Sequence, residues 1–154
     1  MPVTIAEEHP LTPDLELLFQ RHTADMHADT PPESIHMMDK GALASPGIRF
    51  FVMRDAERPV AMGAFKRIDA THAEIKSMHV LAEDRGRGLS RAMLEHLLAE
   101  ATRDGFARLS LETGVQPTFV AARALYARAG FAECGPFEGY HEDPNSVFMT
   151  KTLR

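Results

Sequence analysis

A glycine-rich turn in the middle of the chain carries the residue types best suited to chemistry. It follows an apolar run centred on Met78-His79-Val80, and its residues are Arg85, Gly86, Arg87, Gly88, Leu89 and Ser90. A helix that starts after such a turn leaves backbone N–H groups unsatisfied, and its macrodipole favours an anion there. Glycines permit a positive φ and let a phosphate approach the backbone closely. The turn therefore predicts a ligand that carries phosphate.

Two common phosphate sites do not fit this turn. A P-loop requires GxxxxGK[ST], a pattern that the sequence lacks. A dinucleotide site requires GxGxxG after a first strand, with an acidic residue about 20 positions later. Here Gly86 and Gly88 are followed by Leu89-Ser90-Arg91, so the third glycine is missing, and the turn lies in mid-chain. Neither a nucleoside triphosphate nor a dinucleotide is therefore expected as the ligand.

Strands and a helix around the turn are expected to position it. Short connections join three β-rich segments, 48–53, 59–68 and 72–80, which predicts an antiparallel meander. Apolar residues recur at helical spacing along 90–103, which predicts a helix. The next β-rich segment, 108–113, is reached through this helical crossover, so we expect it to lie parallel to strand 72–80.

The remaining segments complete the predicted sheet and its covering helices. Further strands are expected at 3–7, 131–134 and 146–152, and further helices from Thr12 to Thr30, over 39–44 and from Pro117 to Ala129. Thr, Pro and Asp at 12–14 are typical of a helix start, and Gly130 is typical of a helix end. Strands that precede and alternate with helices predict a mixed α/β sheet.

Composition narrows the class of protein. The 154 residues are expected to form a single domain, 1–154. A net charge of −5 argues against a nucleic-acid partner, and no apolar run is long enough to cross a membrane. A single cysteine and the absence of a signal-peptide pattern predict a cytoplasmic protein. His22, His27 and His36 lack the spacing of a zinc site, so no metal is expected.

Three short motifs together resemble the GNAT superfamily of acetyl-CoA-dependent N-acetyltransferases. They are Met78-His79-Val80, then Arg85 through Ser90, then Leu125-Tyr126 with Gly130-Phe131. The resemblance covers roughly residues 48 to 152, and the tail from Cys134 to Met149 is similar to a group of small bacterial GNAT proteins. Glu83 stands where the superfamily motif commonly begins with Gln or Arg. The resemblance implies a GNAT-type α/β fold: a mixed, mostly antiparallel central sheet of about six to seven strands, flanked by helices, with a splayed pair of parallel strands.

Acetyl-CoA is the co-substrate that this resemblance implies. Its pyrophosphate would lie on the backbone amides from Arg85 to Ser90, and Arg85 and Arg87 would add charge-assisted contacts. Its pantetheine would pair with the backbone of Met78, His79 and Val80, in a gap where this strand splays from 111–113. A backbone N–H of the same strand would then serve the acetyl carbonyl as an oxyanion donor.

Direct transfer to an amine requires a base for the nitrogen and an acid for the leaving thiolate. The resemblance assigns the acid to Tyr126 and the base to Glu74. Strict alternation along the strand, without a bulge, would place Glu74, Lys76 and Met78 on one face. His79 and Glu112 are the other candidates for the base.

The acceptor is expected to bind between the first helices, the meander strands and the late loop, Gly135 to Asn145. Candidate residues for this site are His36, Glu112, Phe137 and Tyr140. Aromatic rings beside acids suit a small-molecule primary amine or an amino acid, which is the expected partner. A peptide N-terminus or a lysine would be served by the same chemistry, and a sensor that binds acyl-CoA without turnover is a further alternative. A homodimer is expected only by analogy with the family.

Overall fold

The fold is built around one mixed sheet, as a computed structural model describes it for residues 3–153. Seven strands lie in the order β1-β2-β3-β4-β5-β7-β6. They are β1 Val3–Glu7, β2 Ile48–Asp55, β3 Arg58–Arg67, β4 His72–Val80, β5 Arg108–Gly114, β6 Ala132–Cys134 and β7 Ser146–Thr152. The α-helices are α1 Glu16–Asp29, α2 Leu89–Arg103 and α3 Val120–Arg128. This arrangement confirms the GNAT-type sheet expected from the motifs.

The only parallel pair of described strands is β4 with β5, as the helical crossover predicts. The two strands pair only over His72–Glu74 and Arg108–Ser110. Beyond Glu74, β4 keeps its ladder with β3, whereas β5 keeps its ladder with β7. The two neighbours therefore separate toward their carboxyl ends, which confirms the expected splay and opens a gap in the middle of the sheet.

The sheet has two covered faces. On one face, hereafter the α2 face, a large core joins α2 and α3 to residues such as Ala73 and Ile75 of β4. On the other, hereafter the α1 face, a smaller core joins Leu15 and Leu18 to Phe50 and other residues of the meander. Alternate residues of β4 therefore face different helices.

A bulge at Ser77 changes the alternation of β4. The register between β3 and β4 shifts between Met62 and Ala64, and Ser77 has a φ of 59°. Met78 packs against the α2-face core, while His79 contacts His22 of α1. The alternation expected without a bulge is therefore wrong for Met78, because the extra residue turns its side chain to the α2 face.

A close approach of α2 accompanies the bulge. Gly63 lies in β3 opposite it, and a Cβ at this position would lie 2.9 Å from the Met78 sulfur and 3.0 Å from the Met93 side chain. Glycine is therefore the residue that lets α2 pack directly over the bulged strand.

Two of the predicted helices before the meander differ from the structure. The helix expected over 39–44 is a single 3-10 turn, Ala42–Ala44, because the Asp39 carboxylate accepts a hydrogen bond from the Ala42 amide and closes a local turn. The first helix begins with a 3-10 turn, Pro13–Leu15, and Thr12 donates its hydroxyl to the His9 carbonyl instead of capping the helix.

Candidate active site

A cleft of about 1270 Å³ follows β4 from the glycine-rich turn to the late loop. It brings together most of the residues that the sequence singled out. They are His36, Glu74, Met78, His79, Val80, Arg85, Gly86, Gly88, Leu89, Ser90, Glu112, Tyr126 and Tyr140. Arg87 and Phe137 do not line it.

The turn at one end of the cleft presents free backbone donors. Gly86 and Gly88 have φ values of +84° and +77°, which only glycine adopts readily, and the space where a Cβ would project is open at both. Within residues 3–153, the amides from Gly88 to Arg91 have no hydrogen-bond acceptor, and no side chain caps the start of α2. This end can therefore hold a phosphate group by its backbone.

The two arginines of the turn are placed differently. Arg85 lines the cleft, half-exposed, and its guanidinium contacts the Asp25 carboxylate at 2.9 Å. Arg87 points away and contacts Asp55 at 3.1 Å and Asp84 at 2.9 Å. Arg85 can therefore reach an anion in the cleft, whereas Arg87 fastens the turn to the β2–β3 hairpin.

Asp84 anchors the turn from below. It is 3% exposed, and both of its oxygens accept hydrogen bonds from the Arg58 guanidinium at 2.8 and 2.9 Å. The bond from Arg58, with a further one from Arg87, holds the pKa of this carboxyl below its usual range. The turn is thereby fixed before any ligand arrives, which reduces the entropy lost on binding.

The edge of β4 lines the middle of the cleft. From Ile75 onward, the strand has no partner in β5, so its backbone groups on that side can pair with an extended ligand, as in an added strand. The side chains of Met78 and Val80 lie on the α2 face of this strand, and the side chain of His79 lies on the α1 face.

His79 forms a buried pair with His22 of α1. The ring centroids are 5.2 Å apart, and the Nε2 atom of His79 has no hydrogen-bond partner in the described part of the chain. Burial lowers the pKa of both imidazoles to about 4. Both rings are therefore neutral near pH 7.

Tyr126 of α3 lies on the opposite wall of the cleft. Its ring is buried and packs edge-on against Phe131, with centroids 5.7 Å apart. The hydroxyl forms no hydrogen bond with any described residue, and burial raises its pKa. Tyr126 therefore keeps its proton at neutral pH, and its hydroxyl is free for a ligand.

Glu74 lies at the other end of the cleft within a cluster of side chains. It is 2% exposed, and it accepts a hydrogen bond from the Tyr140 hydroxyl at 2.5 Å. The Lys76 ammonium lies 3.4 Å from the same carboxylate oxygen and donates to the Tyr140 hydroxyl and to the His36 carbonyl. A buried carboxylate is thus balanced by one buried cation.

The late loop is packed by aromatic rings. Phe137 lies beneath Tyr140, with ring centroids 5.2 Å apart, and both rings contact Phe148 of β7. His36 meets Tyr140 edge-on at 5.0 Å. Phe137 therefore supports the wall of the cleft without lining it.

Glu112 of β5 completes this end of the cleft. It is half-buried, and desolvation raises its pKa, although Lys76 and His36 act in the opposite direction. Lys76 contacts Glu74, Tyr140 and the His36 carbonyl, although its position in the sequence indicates only that it is a neighbour of Glu74. A lysine two positions from a glutamate in an otherwise buried strand was the one available signal.

Comparison with known proteins places the chain in a family. The model of the acetyltransferase (GNAT) family matches residues 14–131. The chain belongs to the GNAT family. It is 43% identical to YsnE, an uncharacterized N-acetyltransferase of Bacillus subtilis (strain 168), over 88% of this chain and 90% of the relative. It is 40% identical to an IAA acetyltransferase of Azospirillum brasilense, over 98% of each chain.

Solved structures support the same fold. A Klebsiella pneumoniae protein assigned to the acyl-CoA N-acyltransferases superimposes with a TM-score of 0.80 at 27% identity, over 99% of this chain and 98% of that one. The PaiA N-acetyltransferase of Thermoplasma acidophilum, solved with coenzyme A, superimposes with a TM-score of 0.78 at 14% identity, over 99% of each chain, which concerns the fold alone. The GNAT protein described here is therefore an acyltransferase enzyme.

Two further properties of the described residues concern membranes and metals. No helix within 3–153 combines the length and apolar character needed to cross a membrane. Over the same residues, no group of three or more histidine, cysteine or acidic side chains is arranged to hold a metal ion.

Proposed function

We propose that this GNAT protein transfers the acetyl group of acetyl-CoA directly to the primary amine of a small molecule or amino acid. The observation that carries the proposal is the cleft itself. It joins a backbone anion site, an unpaired strand edge and a buried carboxylate cluster in the order that donor and acceptor require. In this order the cleft would hold the pyrophosphate at the turn, the pantetheine along the strand edge and the amine beside the carboxylate cluster.

The residues divide between donor and acceptor. The amides of the turn and Arg85 would hold the pyrophosphate, and the backbone from Met78 to Val80 would hold the pantetheine. Tyr126 would protonate the departing thiolate, since its hydroxyl is protonated and unbonded. Glu74 would receive the proton of the amine.

Contacts between two loops beside the acceptor end of the cleft, around Glu74 and Tyr140, favour a small acceptor over a protein. The Ser34 hydroxyl donates to the Asp143 carboxylate at 2.6 Å, and Asn145 donates to Ser34 at 3.3 Å. Lys76 donates to the His36 carbonyl, which joins the segment at His36 to the same group of contacts. Two loops that are distant in the sequence are therefore held together beside this end, which restricts the room for a polypeptide acceptor.

A panel of acceptors with thiol release as the readout tests the proposal. It should contain primary amines, amino acids, short peptides with free N-termini and IAA, because one relative is named an IAA acetyltransferase. We expect CoA release that depends on acetyl-CoA and on a small amine. Faster release with peptides would move the acceptor to the protein class.

Thermal shift separates an enzyme from a sensor. Acetyl-CoA should raise the melting temperature, whereas NAD and ATP should not. A shift with acetyl-CoA but no thiol release with any acceptor would replace the enzyme proposal by a non-catalytic acyl-CoA sensor. We further propose that residues 1–154 form one cytoplasmic domain. A homodimer is proposed by analogy with the family, and gel filtration would test it.

A further inference from the structure

Tyr140 stands between the cleft and the carboxylate of Glu74. Its ring lines the main cleft and also a neighbouring pocket of about 280 Å³. Its hydroxyl donates to Glu74 at 2.5 Å and accepts from Lys76 at 3.0 Å. The side chain comes from the late loop, 66 positions from Glu74 in the sequence.

Glu74 itself is poorly placed to meet an amine. Its side chain is 3% exposed, and the Tyr140 hydroxyl and the Lys76 ammonium both lie against the same oxygen, Oε2. A general base must come within hydrogen-bond reach of the proton that it removes. A hydroxyl that lines the cleft and contacts Oε2 can therefore carry a proton between the cleft and this carboxylate.

The hydroxyl of Tyr140 has the bonding capacity for that transfer. A phenol oxygen donates one hydrogen bond and can accept two. Its proton is directed to Glu74, and one acceptor position is taken by Lys76. The second acceptor position has no partner among residues 3–153.

We propose that Tyr140 is a catalytic residue that relays the acceptor's proton to Glu74, with Lys76 holding the relay in place. This inference rests on the proposed acetyl transfer. The ammonium of the acceptor gives a proton to the Tyr140 oxygen while the Tyr140 proton passes to Glu74. The amine is left neutral and can attack the acetyl carbon.

The protons and bonds of the whole transfer balance. The nitrogen lone pair forms the C–N bond, and the C–S bond breaks to give the thiolate of CoA. Of the three protons on the ammonium, one stays in the amide, one rests on Glu74, and one replaces the proton that Tyr126 gives to sulfur. Glu74 then returns its proton to solvent.

Other charged groups face the relay from every side. They are Lys76 of β4, Glu112 of β5, Glu138 of the late loop and the ring of His36. Burial and the neighbouring carboxylates raise the pKa of Tyr140. The tyrosine is therefore protonated at rest, as a relay requires.

A kinetic cycle on the best amine of the panel tests the relay. Tyr140→Phe keeps the ring and removes only the hydroxyl, and Glu74→Gln removes the final acceptor. We expect each variant to lower kcat by about 100-fold near pH 7, and the double variant to fall no further. A Tyr140→Phe rate near wild type, or losses that multiply, would overturn the relay.

The pH profile separates a relay from misplaced packing. Both variants should regain rate as pH rises, because a free amine needs no base. A loss in Tyr140→Phe that persists at high pH would mean that the hydroxyl only positions the loop. Ser34→Ala loosens the same loop without touching the relay, so it should keep the pH dependence of the wild type whatever its rate.

A spectroscopic test needs no acceptor. The chain has two tyrosines and no tryptophan, so Tyr126→Phe leaves Tyr140 as the only tyrosine in an ultraviolet titration. We expect it to ionise at a lower pH once Glu74→Gln is added. An unchanged titration would overturn the relay, whereas silence of the wild type across the whole amine panel would overturn the acetyl-transfer proposal instead.

Discussion

Backbone groups dominate the donor end of the cleft, whereas side chains dominate the acceptor end. The turn at 85–90 offers free amides at Gly88, Leu89 and Ser90, whereas the Arg85 amide donates to the Ala82 carbonyl, and Asp84 anchors the turn. The cluster around Glu74 draws Tyr140 and the His36 carbonyl from segments far away in the chain. A donor site made of local backbone is readable from a short motif, but an acceptor site made of distant side chains is not.

The contrast also concerns what each end can recognise. Free amides and glycines fit any phosphate of the right size, so the donor end can serve a common co-substrate. The acceptor end has one buried cation, Lys76, beside the carboxylates of Glu74 and Glu112. Discrimination between amines should therefore reside in Glu74 and its neighbours.

Removal of the proposed base should have the largest effect. Glu74→Gln should lower kcat by about 100-fold near pH 7, or about 2.7 kcal/mol of barrier, because the carboxylate that would receive the proton of the amine is removed. Measurement of kcat against pH should show the rate recovering as the amine deprotonates. A flat profile like that of the wild type would exclude Glu74 and leave Glu112 as the carboxylate candidate for the base.

The histidine pair between the two ends should give the next largest effect, on stability. The pKa of His79 falls from its ordinary value of 6.5 to about 4 on folding, so the unfolded chain takes up a proton that the folded chain does not. The contribution of the neutral His79 to the free energy of unfolding is therefore fully present above pH 6.5 and is lost as the pH falls toward 4. His79→Gln should reduce the loss between pH 6.5 and pH 5 by about 2 kcal/mol.

Urea unfolding at several pH values measures this effect. An unchanged drop in the free energy of unfolding for His79→Gln would mean that the imidazole is solvated, contrary to its burial beside His22. The wall between the donor end and α1 would then be more open than the structure describes.

A smaller change is expected at the thiolate. Tyr126→Phe should lower kcat about tenfold, or about 1.4 kcal/mol, because the leaving sulfur loses its proton donor. The Kd of acetyl-CoA should stay as in the wild type. A raised Kd with an unchanged kcat would make Tyr126 a part of the donor site, not an acid.

The smallest effects are expected at the two arginines of the turn. Arg85 should affect the binding of acetyl-CoA, whereas Arg87 should affect stability. Arg85→Gln should raise the Kd of acetyl-CoA about threefold and leave the melting temperature unchanged, since exposed ion pairs contribute under about 1 kcal/mol. Arg87→Gln should act mainly on the melting temperature, because its carboxylate partners hold the turn. Equal effects of both variants on Kd would contradict the assignment of Arg87 as a fastener.

Local patterns in the sequence predicted the elements that hold the donor site. The bounds of β4 at His72–Val80 are those expected, and α2 begins one residue before the predicted start. Both follow from signals within a few residues: β-rich alternation, left-handed glycines and helical spacing. The parallel pairing of β5 followed from chain connectivity.

Other features escaped prediction because they depend on contacts across the sheet. The bulge at Ser77 is a mismatch between β3 and β4, and it moved Met78 to the α2 face. In the sequence, Arg85 and Arg87 are equivalent candidates for contacts to phosphate, but in the structure Arg87 contacts Asp55 and does not line the cleft. The 3-10 turn at 42–44 replaced a helix because side-chain capping by Asp39 satisfied the local backbone.

The sequence by itself determined the order of the elements and the glycine-rich turn proposed as an anion site at the start of α2, because both arise from neighbouring residues. Only the tertiary structure decided the acceptor end, where Tyr140 covers Glu74 and Lys76 links two loops. Pairwise contacts over such distances depend on loop closure and on burial of charge. No pattern along the chain encodes them, which is why the donor of this GNAT enzyme is easier to infer than its acceptor.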